Sequence, residues 1–511
     1  MKKLRILENK KYCNVKLLFL KYQKLVVKIK VKWYNNKKIK LKEEKMNENQ
    51  RRELLNEKKS GWLETSDEKF GQIFDFCNGY MEFLNRSKTE REFAANAKNI
   101  AEANGFRDVN KVDSLKAGDK VYFVNREKSI YFAVIGEEKL ENGLHIVGAH
   151  IDSPRLDLKP NPLYEDGELA YFNTHYYGGI KKYQWTTIPL SIHGVMIKAD
   201  GEKITINIGE DENDPIFTIT DLLPHLAKDQ EAKRLREAIE GENLDLLVGS
   251  IPILDDESKQ KVKLNILKIL NEKYGITEKD FVSSELELVP AFKARSLGFD
   301  YGMVAAYGQD DKVCSYTALK ALMEIERPQK TSICILSDKE EIGSMGNTGM
   351  ESHVFDYFVS ELLNKTGENR VNLLDKVFCY SKMLSSDVDA GFDPLYASVS
   401  DRDNSGYLSK GITLNKYTGA RGKSGASDAN AEYVAWVRNL LETNNIKYQV
   451  SELGKVDVGG GGTIAYILAN KGVDVIDCGV PVLSMHAPYE VTSKFDIYEA
   501  YRAYKVFWNK D

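Results

Sequence analysis

The sequence predicts an α/β protein in which a mixed, mostly parallel sheet is flanked by helices and interrupted by an inserted β-rich domain. Three observations lead to this prediction. Short apolar runs alternate with helical patterns in residues 46–158 and again in 288–511, as expected for a sheet covered on both faces. Residues 159–287 carry short alternating strands with glycine turns instead. Hydrophobic residues make up 42% of the 511-residue chain and charged residues 29%, a composition typical of globular proteins.

The first 45 residues differ from the rest of the chain in charge. They carry 16 Lys and Arg against 3 Glu, a net charge of +13, whereas the other 466 residues carry 56 basic and 73 acidic groups, a net charge of −17. A basic run of this kind can also indicate nucleic-acid or membrane-surface binding. We interpret residues 1–45 as an unfolded basic extension, with a natural start at Met46 as the alternative. We expect neither a nucleic acid nor a membrane as a partner.

The compartment is predicted from what the sequence does not contain. No apolar run approaches the roughly 20 residues that a membrane span needs. No secretory signal is recognisable at the N-terminus. The six cysteines are scattered without a CxxC pair, which indicates free thiols in a reducing compartment. We therefore expect a cytoplasmic protein.

The elements before and within the insertion follow from hydrophobic spacing. Residues 47–104 have apolar residues three and four apart, which predicts helices. The segments "KVYFVNREKSIYFAVIG" and "LHIVGAHIDSP" predict strands, the second of which ends at His150. Inside the insertion, "LPHLAKDQEAKRLREAIE" predicts a helix-rich stretch after the short strands.

After the insertion the alternation of helices and strands returns. The predicted helices cover 313–326, 426–442, 462–471 and 495–510. The predicted strands cover 331–337, 376–384 ("KVFCYSKML"), 447–453 and 473–485 ("VDVIDCGVPVLSM").

Chemically versatile side chains follow several of these strands. Two of the seven histidines do so directly, because His150 ends "HIVGAH" and His486 follows "VPVLSM". One histidine at a strand end is usually structural, but carboxylates share the setting. Glu340 and Glu341 follow "ICILSDK", and Asp387 lies in "MLSSDVDAG". Ligands of open α/β sheets bind beyond the carboxyl ends of strands. We therefore predict that all five side chains meet at one edge of one sheet.

Imidazole and carboxylate groups in this number suit a pair of divalent ions. Zn²⁺ is the first expectation, with Mn²⁺ or Co²⁺ as alternatives. Five ligands can serve two ions if one carboxylate bridges them. Asp152, two residues after His150, can accept the ring proton of a metal-bound histidine. One residue of the Glu340–Glu341 pair can bind metal while the other moves a proton from water to a leaving amine, and the spacing leaves the two roles interchangeable.

Five motifs in order, "GAHIDSP", "DDKVCSYTAL", "DKEEIGS", "SSDVDAGFDP" and "MHAPYEV", resemble the aspartyl aminopeptidase family of dinuclear zinc metallopeptidases, which includes vacuolar aminopeptidase I. The resemblance covers nearly all of residues 50–511 and is closest to the bacterial branch. It implies a zinc-peptidase-like fold and a metalloaminopeptidase that hydrolyses the N-terminal bond of peptides. It also implies that the inserted domain mediates dimerisation and that dimers assemble into dodecamers.

The resemblance assigns residues as well. The implied ligands of two zinc ions are His150, Asp310, Glu341, Asp387 and His486. Asp310 bridges the ions and is joined to Asp311 by a cis peptide, His150 and Asp387 bind one ion, and Glu341 and His486 bind the other. Glu340 is implied as the general acid/base, and Asp152 as the support of His150.

Substrate choice is left open. Eukaryotic members carry a lysine that receives acidic side chains, and the matching position here is Asn415 or Lys416. Some members place a histidine beyond the glycines of the insertion, where this chain has 181–183, "KKY". A preference for acidic N-terminal residues is therefore one of the expectations, not the only one.

Other activities and another motif give further alternatives. A deacylase or carboxypeptidase could use the same dinuclear site, and a non-catalytic assembly or cargo paralogue could keep the scaffold. The glycine loop "DVGGGGTIAYILANKG" lacks a nucleotide-binding spacing. We interpret it either as a backbone cradle for substrate or as a tight packing turn.

Overall fold

The structure is a computed structural model and describes residues 54–56, 58–254 and 257–510. The chain divides into two compact units, Met1–Lys58 and Lys59–Asp511, and the description below concerns the second unit. The predicted basic extension over 1–45 and the alternative start at Met46 lie outside the described residues. Within the part of the chain that the structure describes, none of the helices has the length and apolar character that crossing a membrane requires.

The strands fall into three sheets. In chain order they are β1 (Arg107–Asp108), β2 (Lys120–Asn125), β3 (Ser129–Val134), β4 (His145–His150), β5 (Arg155–Asp166), β6 (Leu169–Tyr177), β7 (Leu190–Ile197), β8 (Lys203–Ile208), β9 (Leu246–Gly249), β10 (Ser284–Pro290), β11 (Arg295–Leu297), β12 (Met303–Ala306), β13 (Ser332–Ser337), β14 (Lys382–Ser385), β15 (Asp389–Ala390), β16 (Ile412–Asn415), β17 (Tyr448–Val450), β18 (Asp474–Gly479), β19 (Pro481–Leu483) and β20 (Glu490–Ser493).

Helices cover the sheets and begin and end at recognisable signals. They are α1 (Asp67–Asn85), α2 (Glu90–Ala103), α3 (Lys228–Glu231), α4 (Leu235–Ala238), α5 (Lys261–Tyr274), α6 (Gln309–Met323), α7 (Val354–Lys365), α8 (Leu373–Cys379), α9 (Ala431–Thr443), α10 (Ala465–Ala469) and α11 (Lys494–Trp508). Thr89 and Glu92 form a capping box at the start of α2, and Gly275, with a φ of +66°, ends α5.

The nine-stranded sheet carries the candidate site. Its order is β1-β2-β3-β13-β4-β14-β18-β16-β17, and the four central strands β13, β4, β14 and β18 run parallel. β3 and β16 flank this core antiparallel, so the sheet is mixed. Every residue of β4 and β13 is buried, which explains their continuous apolar runs. The predicted fold class, a mixed and mostly parallel sheet with helices around it, is confirmed.

Alternating side chains of the central strands enter two separate cores. In β4, Val147 and Ala149 pack into one core with residues of α1, α6 and α11, while Ile146 packs on the opposite face with α7 and α8. In β13, Cys334 and Ile335 divide in the same way. Helices therefore cover both faces of the sheet, and the ends of its strands are left to carry the candidate site.

The six-stranded sheet corresponds to the predicted insertion. Its order is β8-β7-β10-β5-β6-β9, with antiparallel neighbours and a core of its own beneath α5. The sheet runs from Arg155 to Pro290 and so exceeds the predicted limits of 159 and 287 at both ends. The predicted helix-rich stretch over 223–240 contains a 3-10 turn, Pro224–Leu226, and the short helices α3 and α4. The division into a catalytic domain (46–158 and 288–511) and an inserted domain stays a prediction.

Two predicted strands differ from the structure. The strand predicted over 376–384 is wrong in its first half, because α8 continues to Cys379 and β14 begins at Lys382. Leu373 and Val377, four residues apart, pack into the core beside α7, so the apolar pattern there marks a helix face. The strand predicted over 473–485 is two strands, and β19 belongs to the five-stranded sheet β11-β12-β20-β19-β15.

Candidate metal centre

Three parallel strands deliver candidate side chains to one edge of the nine-stranded sheet. His150 is the last residue of β4 and pairs with Ser337, the last residue of β13. The helical turn Glu340–Ile342 follows β13, and Asp387 lies two residues beyond β14. Because these strands are parallel neighbours, their carboxyl ends bring the four predicted side chains together.

His486 reaches the same place from another sheet. It follows β19 of the five-stranded sheet, so the prediction of a single sheet edge is wrong for this residue. Its φ is +64°, and its amide donates to Oε1 of Glu490 at 2.8 Å, which helps to hold this turn. Asp310 comes from the first turn of α6, and its peptide bond to Asp311 is cis, as the resemblance implies.

The five predicted ligands form two triads that share Asp310. In the first triad, Nε2 of His150 lies 3.1 Å from Oδ1 of Asp310 and 3.7 Å from Oδ1 of Asp387. In the second, Nε2 of His486 lies 3.2 Å from Oδ2 of Asp310 and 3.6 Å from Oε2 of Glu341. Within each triad the potential ligand atoms lie within 4.8 Å of one another, a spacing that could hold a metal ion.

Both imidazole rings turn Nε2 towards the carboxylates. Nδ1 of His486 donates to the carbonyl oxygen of Gly179 at 2.8 Å. Nδ1 of His150 lies 3.0 Å from the carbonyl oxygen of Asp152 and 3.3 Å from its Oδ1. A proton on Nδ1 leaves the lone pair of Nε2 facing the carboxylates, which is the arrangement of metal-bound histidine. Oε1 of Glu341 is buried without a hydrogen-bond partner among the described residues. These side chains therefore fit zinc, which prefers nitrogen and carboxylate ligands.

The electrostatics of the triads favour a cation. Against the lowering effect of burial, the hydrogen bond to Asp310 and the charge of Glu341 raise the pKa of His486 to about 10. Burial raises the pKa of Glu341 well above its usual value, and the charge of Asp310 adds to this effect. Acidic surroundings that would hold a proton on a histidine also stabilise a divalent ion in its place.

Asp152 connects the first triad to the two adjacent glutamates. Its Oδ1 accepts a hydrogen bond from the amide of Glu340 at 3.1 Å, and its Oδ2 accepts one from the amide of Glu341 at 3.2 Å. The hydroxyl of Tyr177 donates to Oδ2 at 2.8 Å. The predicted contact between Asp152 and His150 is present, and the contacts to the glutamate backbone and to Tyr177 are additional findings.

The side chain of Glu340 lies beside the triads without belonging to either. Its Oε2 is 3.9 Å from Nε2 of His150. Burial is the main reason that the pKa of the Glu340 carboxyl is raised to about 8; the charges of Asp387 and Asp152 act in the same direction, and the charge of His150 opposes them. A carboxyl of this kind can accept and release a proton near neutral pH, as a general acid/base must.

Glu490 is a residue of this centre that sequence reasoning missed. Its Oε2 accepts from the amide of Asp310 at 3.0 Å, and its Oε1 accepts from the amide of His486. Burial raises the pKa of Glu490 to about 8. One buried carboxyl group therefore holds the backbone of the shared ligand and of a second ligand. The available signal was its place in the motif "MHAPYEV", four residues after the histidine.

A cavity of about 470 Å³ opens beside the triads. All the predicted ligands except His150 line it, together with Glu340. Its wall also includes Asp389, Asn415, Tyr466 and the glycine segment 460–462. No lysine or arginine lines it within the described part of the chain. Of the two positions that the sequence left open, Asn415 lines the cavity and Lys416 does not.

The glycine loop supports the interpretation as a packing turn, while the backbone cradle for substrate stays a prediction. A Cβ at Gly459 would lie 1.7 Å from the carbonyl oxygen of Leu453, so close packing requires glycine there. Gly462 has open space around its Cα and lines the cavity. The start of the loop is therefore a packing turn, and its end exposes backbone to the cavity.

Comparison with known proteins identifies relatives of this chain. The sequence model of the family described as "Aminopeptidase I zinc metalloprotease (M18)" matches residues 83–508. A probable M18 family aminopeptidase 1 of Clostridium acetobutylicum is 53% identical over 461 residues, which cover 89% of this chain and 99% of that protein. The crystal structure of an M18 family aminopeptidase from Thermotoga maritima superposes with a TM-score of 0.86 at 48% identity, covering 89% of this chain and 100% of that one. The mApe1 dodecamer of S. cerevisiae has a similar fold, with a TM-score of 0.69 at 22% identity over 85% of this chain and 96% of that one.

Proposed function

This chain belongs to the aminopeptidase I family of zinc metalloproteases (M18), and on that premise we propose that its two triads hold two zinc ions and that Glu340 moves the proton of the reaction. The protein is an aminopeptidase, a hydrolase of N-terminal peptide bonds. The number of ions, their ligands and the acid/base are the parts that we propose.

One observation carries the proposal. The two histidine rings point Nε2 at carboxylates on either side of Asp310, while both Nδ1 atoms are engaged by oxygen atoms of Asp152 and Gly179. A structural histidine–carboxylate pair accounts for only one of these triads. The second triad, on the other oxygen of Asp310, is what supports two ion sites. His150 and Asp387 would hold one ion, His486 and Glu341 would hold the other, and Asp310 would be shared between them. Mn²⁺ and Co²⁺ suit the same ligands as alternatives.

The reaction requires a base that is close to the ions but not bound to them. Bound zinc supplies Lewis acidity towards the scissile carbonyl and towards the attacking water. Glu340 takes the proton from that water and returns it to the leaving amine. Asp152 fixes the position of Glu340 through its amide and the orientation of His150 through Nδ1. Adjacent residues thus perform different tasks, with Glu341 as ligand and Glu340 as proton carrier.

The charge of the cavity favours substrates with neutral N-terminal side chains over those with acidic ones. Asp389 lines it, and the carboxylate of Asp389 accepts hydrogen bonds from Ser451 at 2.5 Å and Asn415 at 3.1 Å, with no lysine or arginine in the cavity wall as described. An acidic substrate side chain would face this carboxylate, whereas the charges of the triad carboxylates would be offset by the ions that they hold. Juxtaposed like charges cost several kcal/mol.

We expect a panel of aminoacyl-anilides to reveal this preference. With zinc added, neutral substrates should be cleaved with a kcat/KM at least about 10-fold higher than those of aspartyl and glutamyl substrates, because like charges repel in the cavity. The same panel with acetylated α-amino groups should not be cleaved.

Faster cleavage of acidic substrates would contradict this expectation and would favour the acidic preference that the sequence also allows. Cleavage of acetylated or C-terminal substrates would favour the deacylase or carboxypeptidase alternative, and no cleavage of any substrate would favour a non-catalytic paralogue.

We also propose that the chain self-associates through the domain that contains the six-stranded sheet. The yeast mApe1 of similar fold is a dodecamer, and strands β8 and β9 form the two edges of this sheet. Large apolar side chains are exposed on the same domain, a feature typical of interfaces: Ile216, Leu222, Leu223, Leu226, Leu235 and Ile251. Native mass spectrometry of the full chain should give dimers or a larger multiple of them, and a monomer at micromolar concentration would contradict self-association.

A cytoplasmic location stays a prediction.

A further inference from the structure

We propose that the segment Tyr177–Gly179, where β6 of the six-stranded sheet ends, positions both triads, so that the inserted sheet is part of the metal centre as well as a candidate interface. The proposal rests on the proposed function, since it concerns the residues that hold the two ions. The three residues of the segment lie against Asp152, Glu341 and His486 in turn.

The hydroxyl of Tyr177 completes the hydrogen bonding of Asp152. The two carboxylate oxygens of Asp152 meet four groups: Nδ1 of His150, the amides of Glu340 and Glu341, and the Tyr177 hydroxyl. Three of these belong to the candidate site itself, and the fourth comes from the inserted sheet. Removing it would leave Oδ2 with the Glu341 amide alone and would loosen the carboxylate that orients His150.

The ring of Tyr177 is fixed by the strand beside it. Arg155 of β5 is its partner in the sheet register, and the Arg155 guanidinium lies 3.9 Å from the ring centroid. Arg155 is buried and forms ion pairs with Asp157 at 2.8 Å and with Glu287 of β10 at 3.3 Å. Contacts within the six-stranded sheet therefore fix the Tyr177 side chain, whose hydroxyl donates to Asp152.

The two glycines after Tyr177 lie against the second triad. Gly178 has a φ of +76°, and a Cβ there would lie 3.2 Å from Oε2 of Glu341. At Gly179, a Cβ would lie 3.3 Å from Nδ1 of His486, the atom that donates to the carbonyl oxygen of the same glycine. The absence of side chains lets the backbone approach both ligands closely. A shift of β6 would therefore displace Glu341 and His486 together. It would also affect His150, because Tyr177 contacts Asp152 and Asp152 contacts His150.

The Tyr177→Phe variant tests the first contact. It removes one hydroxyl and keeps the ring that packs on Arg155. We expect zinc affinity to fall by about 10-fold or more, as for other partners that orient metal-binding histidines, and kcat to fall at saturating zinc with little change in KM. Tyr176→Phe is the matched control, because Tyr176 is the neighbouring tyrosine and 43% of its surface is exposed. The control should keep the zinc affinity and kcat of the unchanged protein.

The Gly178→Ala variant tests the second contact independently. Both the positive φ and the 3.2 Å approach to Glu341 oppose a methyl group, so the variant should lose zinc from the triad of Glu341 and His486 before the other triad. Gly167→Ala is its control, since Gly167 has a φ of +56° in the β5–β6 turn and nothing within 4 Å of a Cβ. The control should lose some thermal stability and keep its zinc.

The outcomes separate this proposal from the proposed function. Two tightly bound zinc ions in the unchanged protein, with zinc affinity and kcat unaltered in Tyr177→Phe and in Gly178→Ala, would overturn the positioning role and leave the proposed function intact. Failure of the unchanged protein to bind two ions would overturn the proposed function itself. Equal losses in Tyr177→Phe and Tyr176→Phe would also overturn the positioning role, because they would reflect general damage to β6.

Discussion

Replacing Glu340 with glutamine should lower kcat by about 100- to 10,000-fold, the range that a positioned general acid/base contributes, while both zinc ions stay bound. The amide keeps the size of the side chain but cannot take a proton from water. Glu340 belongs to neither triad, and its Oε2 lies 3.9 Å from Nε2 of His150. Metal content by mass spectrometry and kcat with the best neutral anilide are the two measurements.

The control for this variant is Glu361→Gln. Glu361 lies on α7, forms an ion pair with Lys365, and loses the same charge when replaced. It should keep full activity, because partly exposed ion pairs of this kind contribute little. Full activity in Glu340→Gln would remove Glu340 from the mechanism. Loss of zinc from Glu340→Gln would indicate that Glu340 is a metal ligand. The roles of Glu340 and Glu341 would then again be interchangeable, as their spacing alone allows.

Replacing His150 or His486 with alanine should each remove one zinc ion, and the double variant should remove both. Each single variant should lose more than about 100-fold in kcat, because metal assistance supplies several kcal/mol and roughly 1.4 kcal/mol corresponds to tenfold in rate. The reason is the division of the ligands into two triads that share only Asp310. Zinc titration followed by calorimetry gives the stoichiometry of each variant.

His353→Ala is the matched control for the histidine variants. The ring of His353 is 97% exposed and pairs only loosely with Asp356 at 3.3 Å. This variant should bind two ions with unchanged affinity. Two ions in both single variants would contradict the assignment of these histidines, and loss of both ions from each single variant would indicate one cooperative site instead of two separable ones.

The parts of the fold that could be predicted are those in which local pattern and tertiary role agree. β4 and β13 are buried on both faces, so their apolar runs are continuous and end where the chemistry begins. The segment over 376–384 resembles a strand in sequence because a short helix that packs by one face also presents closely spaced apolar residues. The polar stretch over 223–240 forms little helix because few of its apolar residues are buried.

The candidate site divides in a similar way. Strand ends were sufficient to select His150, Glu340, Glu341 and Asp387, since parallel neighbours necessarily bring their carboxyl ends together. The strand-end argument does not apply to His486, because β19 belongs to the five-stranded sheet and not to the nine-stranded one. The turn after β19 is held at the metal centre by the hydrogen bond from the His486 amide to Glu490. The identity of the bridging aspartate came from family resemblance and not from spacing.

The positions of Glu490 and Tyr177 could not be predicted from local pattern. Glu490 acts through two backbone amides, those of Asp310 and His486, which are brought together only by folding. Tyr177 belongs to the predicted insertion, which the sequence separates from the centre, yet its hydroxyl reaches Asp152. Contacts of this kind depend on how two sheets pack, and no periodicity in either segment encodes it.

The central claim is that two ions bind at triads joined by Asp310. X-ray diffraction from crystals of the full chain grown with zinc, collected on both sides of the zinc absorption edge, tests it most directly. We expect two anomalous peaks, one against His150 and Asp387 and one against Glu341 and His486, with Asp310 between them. A single peak, or peaks away from these side chains, would contradict the claim.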